Sequence, residues 1–186
     1  MLYQVFPFHP DAGSSEAGSP LHVPRARQGT RRHDHPDQYG ALYVSRVAES
    51  AVAERIQRFR GQTLSDADLR LVGGATLALA TFDDSAVDRL VDLDDPVQLA
   101  GRQLRPSMVA THDRTVTQGI ALRIFEEDML GLIWRSTLEA SWANVTLFAE
   151  RASPLLTPVG IELLSVQHSV VRAAAQSIGV LLDTAS

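Results

Sequence analysis

Short apolar runs of strand length lie toward both ends of this 186-residue chain, with amphipathic helical stretches between and after them. That arrangement constrains the fold more than any other feature: strands far apart in sequence must share a sheet, and the helices must cover it. Residues 1–6 alternate apolar and polar side chains, and Pro7 is expected to end a first strand. ALYVS reads as a second strand. The runs ATLALATF and VDRLVDL follow, separated by Asp83, Asp84 and Ser85, and are expected to pair or neighbour each other. LGLIWRS, NVTLFAE and VGIELLSV supply later strands. A helix is expected over about 48–60, where Ala48, Ala51, Val52, Ile56 and Phe59 share a face and Gly61 stops it. Others are expected over 95–105, from a Thr111 cap to about Glu127, and over 167–182, where Val170, Val171, Ala174, Ile178, Leu181 and Leu182 keep the helical period. No internal repeat is present. The fold class is therefore α/β, in the mixed α+β sense, as a single compact domain over 1–186. Its core spans about 1–152, with a C-terminal strand and helix over 159–182.

The first two strands are joined by a long irregular segment, residues 7–38, holding Pro7, Pro10, Pro20, Pro24, Pro36 and the run DAGSSEAGSP. Segments of this length inside a compact domain are usually functional or disordered. Charge concentrates nearby. Residues 22–60 carry eight arginines against four acids, a local excess of four positive charges in a chain whose net charge is −5. One arginine-rich segment on an acidic protein suits a confined anionic ligand, so direct binding to nucleic acid or to an anionic membrane is not expected. All 17 basic residues are arginine, and cysteine is absent. A Schiff-base lysine, a P-loop lysine, a thiol nucleophile and a thiolate metal site are thereby excluded. The N-terminus MLYQVFPFHP has no basic leader, and no run approaches the roughly eighteen apolar residues of a membrane span. The expectation is a soluble cytoplasmic protein.

Few constellations carry chemistry. His33 and His35 share one side of an extended segment beside Asp34 and Asp37, but no further ligand sits at a predictable spacing, so no metal is assigned. No GxSxG elbow exists, and Gly73-Gly74 lacks the rest of a dinucleotide fingerprint. In the stretch RRHDHPDQYGALYVSRVAESAVAERIQR, Arg32, Tyr43 and Glu54 recur at eleven-residue intervals on a loop, a strand and a helix. Glu54 borders the buried helical stripe. Its ordinary explanation is a surface pair with Arg58 at i,i+4, contributing about a few tenths of a kcal/mol. Tyr43 as strand core and Ser136 as a strand-end turn hydroxyl are the corresponding ordinary readings. Trp134 and Trp142 read as core.

The runs Arg32-x-Asp34-x-Pro36, Tyr39-Gly40-x-Leu42-Tyr43 and Glu49-x-Ala51-x-Ala53-Glu54 resemble the N-terminal half of the RES domain. Thr117-Gln118, Gly131-Leu132-x-Trp134-x-Ser136 and NVTLF resemble its C-terminal half, so the similarity spans roughly residues 1–152. The family takes its name from arginine, glutamate and serine residues, and its studied members are toxins of bacterial toxin–antitoxin pairs. The resemblance implies a fold similar to ADP-ribosyltransferases and an enzyme that destroys NAD+, which is substrate rather than cofactor. It also implies a proteinaceous antitoxin partner with a helical DNA-binding domain. Carried over residue by residue, Arg32, Tyr43, Glu54 and Ser136 match the family's site. Two positions depart from the pattern: Gln4 and Thr137 stand where members often carry arginine.

The chemistry suits these residue types. Nicotinamide leaves NAD+ as a neutral base, so no general acid is needed, and the barrier lies in forming an oxocarbenium-like ribose. A carboxylate near that ribose stabilises the developing charge, the role expected of Glu54. Arg32 is expected to hold the pyrophosphate through paired hydrogen bonds. Tyr43 is expected to border the nicotinamide ring, and Ser136 to bond the ribose or the glutamate. The leading expectation is a glycohydrolase or phosphorylase that cleaves the nicotinamide–ribose bond. Alternatives are a protein ADP-ribosyltransferase using the same site, a weakly catalytic interaction module of the same fold, and, more distantly, a metal-dependent hydrolase built on His33 and His35. The acceptor, the antitoxin's identity and any homo-oligomeric state stay open in the sequence.

Overall fold

The structure, a computed structural model, describes residues 1–14, 16–71 and 73–183; the other positions of the 1–186 span lie outside the described residues. Its strands are β1 (Leu2–Phe8), β2 (Ala41–Ser45), β3 (Thr63–Leu64), β4 (Thr76–Asp83), β5 (Leu90–Asp92), β6 (Gly131–Arg135), β7 (Ala143–Phe148), β8 (Thr157–Leu163) and β9 (Leu181–Leu182). Its α-helices are α1 (Ala48–Ile56), α2 (Pro96–Gly101), α3 (Pro106–Val109), α4 (Arg114–Glu126), α5 (Ala149–Ala152) and α6 (Ser169–Ile178). Seven strands make one mixed sheet in the order β5-β6-β7-β2-β1-β4-β8, parallel only between β5 and β6. β3 and β9 form a separate parallel pair. The expected mixed α/β class is the observed one.

Alternation along the strands builds three apolar clusters, two on one face of the sheet and one on the other. On one face, α1 and α6 bury Val52, Ile56, Val171, Ala174 and Ile178 against Leu77 and Leu79, with Tyr3 and Val5 packed alongside. On the same face, Ile120, Ala121 and Ile124 of α4 pack on Val91, Leu132 and Phe148. The opposite face gathers Leu2, Phe6, Leu42, Val44, Ala80, Phe82, Val145 and Leu147, with Phe8, Leu21 and Val23 packed against it. The long proline-rich segment therefore covers part of the sheet. Between the α1 and α4 packages parts of the central strands β1, β2 and β7 are left uncovered, and this gap becomes the site described below.

Several boundaries differ from expectation for identifiable reasons. β1 continues through Pro7 to Phe8, because it pairs with β4 throughout but with β2 only at Tyr3–Ser45. On the β2 side Pro7 has no partner strand, so its missing N–H costs no ladder bond there. β4 and β5 do not neighbour each other; they lie in different halves of the sheet, β4 between β1 and β8, β5 at the far edge beside β6. The Asp83-Asp84-Ser85 link lacks the glycine that a two-residue hairpin favours. Helix α1 stops at Ile56, and residues 57–59 tighten into a 3-10 turn. Helix α4 is capped by Asp113, whose carboxylate accepts from the Thr115 N–H at 2.9 Å; the Thr111 hydroxyl accepts from the Asp113 N–H instead. α6 ends at Gly179, which turns left-handed at φ 73°, freeing residues 181–182 to become β9.

Gly131 shows how closely β6 approaches β7. A Cβ there would sit 2.3 Å from the Thr146 carbonyl oxygen and 3.0 Å from the Leu147 Cα, both backbone atoms. Gly131→Ala is expected to destabilise the fold by about 2 kcal/mol or more, since the clash relaxes only by parting the strands. Urea unfolding of the two proteins measures this; an unchanged midpoint would show that the strands are not so tightly apposed.

Candidate active site

The gap between α1 and α4 is a cleft of about 480 Å³. Its floor is the sheet: Tyr3, Ser45, Asn144 and Trp134 lie on one face because they stand opposite one another in the strand register, and Tyr43, two residues before Ser45 on β2, shares that face. Glu54 and Arg55 line it from α1, Thr30 to Arg32 from the loop before β2, and His112 and Arg114 from the start of α4. The structure thus brings Arg32, Tyr43 and Glu54 to one cavity. Ser136 does not line it: the side chain is buried and reaches the site through its bond to Glu54, while its neighbour Thr137 lines the cavity.

The loop is shaped by one carboxylate. Asp34 is only 2 % exposed; its Oδ2 accepts the N–H groups of Gly29 and Arg31 at 2.8 and 2.9 Å, and its Oδ1 accepts the Tyr43 hydroxyl at 2.8 Å. The Tyr43 oxygen in turn accepts the His33 N–H at 3.1 Å. Burial and the neighbouring Asp34 raise the Tyr43 phenol well above its ordinary value, so it stays protonated and offers ring surface rather than proton transfer. The Arg31 guanidinium lies over that ring, 5.3 Å from its centroid. α4 holds the loop from the other side: Thr117 donates to the Arg32 carbonyl at 2.6 Å, and Gln118 donates to the carbonyls of Gly29 and Arg31.

Glu54 is held by neutral donors. Its Oε1 accepts from the Ser136 hydroxyl and from the Asn144 Nδ2, each at 3.0 Å, and its Oε2 accepts from Gln57 at 3.0 Å. Asn144 is itself locked, since its Oδ1 accepts from Ser45 at 2.6 Å and Ser50 at 2.8 Å. The surface pair with Arg58 that helical spacing suggests does not form; Arg58 lies over the Phe59 ring. Of the two contacts expected of Ser136, the one present is with the glutamate.

Four arginines line the cleft: Arg31, Arg32, Arg55 and Arg114. The Arg32 Nη1 donates to the carbonyls of Val109 and Thr111 at 2.8 and 3.2 Å, and its guanidinium lies over the Trp134 ring at 5.4 Å. Its remaining nitrogens keep the planar fork suited to an anion. Burial and the nearby Arg114 lower its pKa, while Glu54 opposes the shift. Burial followed by Arg58 and Arg31 lowers that of Arg55. Both remain cations at any working pH. Sequence reasoning did not single out Asp34, Asn144, Arg55 or Arg114 for this cleft. Alternation along NVTLF from Thr146 would have placed Asn144 on the same face.

Comparison with known proteins places this architecture. The fold matches a chain of the M. tuberculosis MbcT–MbcA toxin–antitoxin complex with a TM-score of 0.62 at 20 % identity, over 95 % of this chain and 87 % of that one. It is thus a mixed α/β fold found in a toxin–antitoxin assembly. The model of the RES domain matches residues 2–167, beyond the 1–152 stretch that carries the quoted motifs, and the chain belongs to the RES domain family. No curated protein matches the sequence significantly. Among the described residues no helix is long and apolar enough to cross a membrane.

The two histidines of the loop do not converge. His33 is buried, with Nδ1 2.8 Å from the Thr146 hydroxyl and its ring edge-on to Trp134, whereas the His35 ring lies against Tyr39. Among the described residues no group of three or more acids and histidines is arranged to hold a metal. Burial, then the charges of Arg32 and Arg114, lower the His33 pKa to about 3. The unfolded chain takes up this proton near pH 6.5, while the folded one stays neutral until about pH 3. The stability His33 lends is therefore complete above pH 6.5 and is lost as pH falls through that window. Between pH 6.5 and 5 this one group is expected to cost about 2 kcal/mol, and His33→Gln to remove that share of the slope. Urea titrations at both pH values test it; an imidazole NMR titration of His33 with a midpoint near 6.5 would contradict it.

Proposed function

We propose that the protein is an NAD+-consuming toxin that cleaves the bond between nicotinamide and ribose, with water or phosphate as acceptor. The observation that carries this reading is one carboxylate, Glu54, held by Ser136 and Asn144 in a cleft whose other charged side chains are arginines. A dinucleotide presents the complementary pattern: an anionic pyrophosphate beside a ribose that becomes cationic as nicotinamide departs. Arg32 and Arg114 face the pyrophosphate. Tyr43 and Trp134 give ring surface on the floor near the nicotinamide. Glu54 lies against the ribose, where its charge stabilises the oxocarbenium ion without forming or breaking a bond itself. Ser136 and Asn144 are positioning residues: by filling Oε1 with neutral donors they fix the carboxylate and leave its charge intact.

Membership of the RES domain family and the likeness to a toxin–antitoxin complex support a toxin with a proteinaceous antitoxin, for which a helical DNA-binding protein is the proposed partner. An enzyme that depletes NAD+ needs such an inhibitor in its own cell, which makes the cytoplasm its proposed location.

Glu54→Gln tests the reading. The amide keeps an oxygen for Ser136 and Asn144 and removes the charge, so turnover of NAD+ is expected to fall on the order of 100- to 1000-fold with little change in folding. Arg32→Lys is expected chiefly to raise KM, since a point charge does not reproduce the planar fork. Rates of NAD+ loss at matched folded concentration decide it; equal rates for wild type and Glu54→Gln remove Glu54 from catalysis. Adenine-labelled NAD+ identifies the acceptor as water, phosphate or protein by the product that carries the label.

A further inference from the structure

The two oxygens of Glu54 are held from different sides. Oε1 accepts from the Ser136 hydroxyl and the Asn144 amide, both buried, at 3.0 Å each. A carboxylate oxygen offers two lone pairs, so Oε1 is filled from the protein interior. Oε2 accepts from the Nε2 of Gln57 at 3.0 Å. Gln57 is an exposed residue that lines the cleft beside Glu54. Oε2 is thus the oxygen that a ligand in the cleft meets, and its cover is a neutral amide on the cleft wall. That cover is anchored independently of the carboxylate: Gln57 caps the C-terminus of α1, and its Nε2 also donates to the Glu54 carbonyl at 3.0 Å. The amide therefore keeps a partner when it leaves Oε2. A ribose hydroxyl is likewise a neutral donor, so one can replace the other without a charge entering or leaving the site. Glu54 needs such a placeholder in the empty cleft, because its charge already acts on Arg32, Arg55 follows it in sequence, and a bare oxygen would invite an ion pair.

We propose that Gln57 is a positioning residue that covers Oε2 of Glu54 while the cleft is empty and yields that oxygen to the 2'-hydroxyl of the ribose that carries nicotinamide. The inference rests on the dinucleotide reading of the cleft and names the residue that hands its carboxylate to the substrate. A consequence follows for recognition. In the wild type the hydroxyl replaces a hydrogen bond that already exists, so it adds little affinity, and a ligand without the hydroxyl leaves the amide in place. Without Gln57 the hydroxyl fills an oxygen that would otherwise be covered by ligand and left unpaired, so the same hydroxyl matters more.

A cycle that pairs protein variants with ligand variants separates this role from a merely structural one. The ligands are carbocyclic analogues of NAD+, in which a methylene replaces the ring oxygen of the nicotinamide-side ribose so that no oxocarbenium ion forms, made with and without the 2'-hydroxyl. Wild type, Gln57→Ala, Gln57→Met and Gln57→Lys, each verified as folded by circular dichroism, are titrated with both by calorimetry. Wild type is expected to favour the hydroxyl analogue by no more than about threefold, and Gln57→Ala and Gln57→Met to raise that preference about tenfold, the scale of one hydrogen bond to a charged group. Gln57→Lys is expected to lower the preference below that of wild type, because an ammonium paired with the carboxylate does not yield to a hydroxyl. The same preference in wild type, Gln57→Ala and Gln57→Met overturns the proposal and leaves Gln57 a fixed neighbour of Glu54. A preference raised by Gln57→Lys as much as by Gln57→Ala also overturns it, since the effect would then follow the loss of the amide's shape. Binding of neither analogue to wild type removes the dinucleotide reading itself and this role with it; binding with unchanged preferences removes only the role of Gln57.

Discussion

The buried carboxylate of Asp34 is the pin that turns a proline-rich connection into part of a cleft. A buried charge of this kind is costly unless its lone pairs are filled, and here two backbone N–H groups and the Tyr43 hydroxyl fill them. Three tethers follow from that one group: the loop is bent back on itself, fastened to β2, and presented to α4, where Thr117 and Gln118 catch its carbonyls. Arg31, Arg32 and His33 are consequently placed as a unit. No strand ladder does this, and the segment has no regular hydrogen bonding of its own near residues 29–34. The positions of the two loop arginines of the cleft, Arg31 and Arg32, are therefore coupled to a residue that does not line the cleft.

A second constraint is electrostatic. A carboxylate surrounded by arginines tends to collapse into a salt bridge, which would spend the charge that an oxocarbenium ion needs. In this cleft Glu54 escapes that outcome, because Ser136, Asn144 and Gln57, all neutral, occupy its oxygens, and among the described residues no arginine comes within ion-pairing distance. Ser45 and Ser50 hold Asn144 from behind, so the carboxylate is positioned by a chain of short polar contacts that runs from β2 and α1 through β7. Glu54 is thus fixed by neutral donors and free of a salt bridge, as the proposed chemistry requires.

Much of this architecture is legible in the sequence, and the rest is hidden for physical reasons. Hydrophobic period alone locates β2, β6, β7, α1, α4 and α6, whereas the placing of Arg32, Tyr43 and Glu54 in one site comes from the family resemblance and not from their spacing. What periodicity does not encode is pairing. The persistence of β1 past Pro7 depends on β2 parting from it, and the separation of β4 from β5 depends on which edges β6 and β8 occupy. Asn144 and Ser136 meet Glu54 across 90 and 82 residues of chain, distances no local spacing reports. Arg55 looks like an ordinary solvent-facing helical residue until α1 is docked beside the loop. Gln4 and Thr137, where family members often carry arginine, both border the cleft, and the buried Oε1 of Gln4 has no hydrogen-bond partner among the described residues.

The central claim is that this cleft breaks one particular bond of a dinucleotide. Proton NMR of NAD+ incubated with the purified protein and inorganic phosphate reads that bond directly, because free and ribose-linked nicotinamide have distinct resonances. The account predicts stoichiometric appearance of free nicotinamide with the adenosine diphosphate portion intact. Cleavage within the pyrophosphate, giving nicotinamide mononucleotide and adenosine monophosphate, or NAD+ unchanged after prolonged incubation with folded protein, would contradict it.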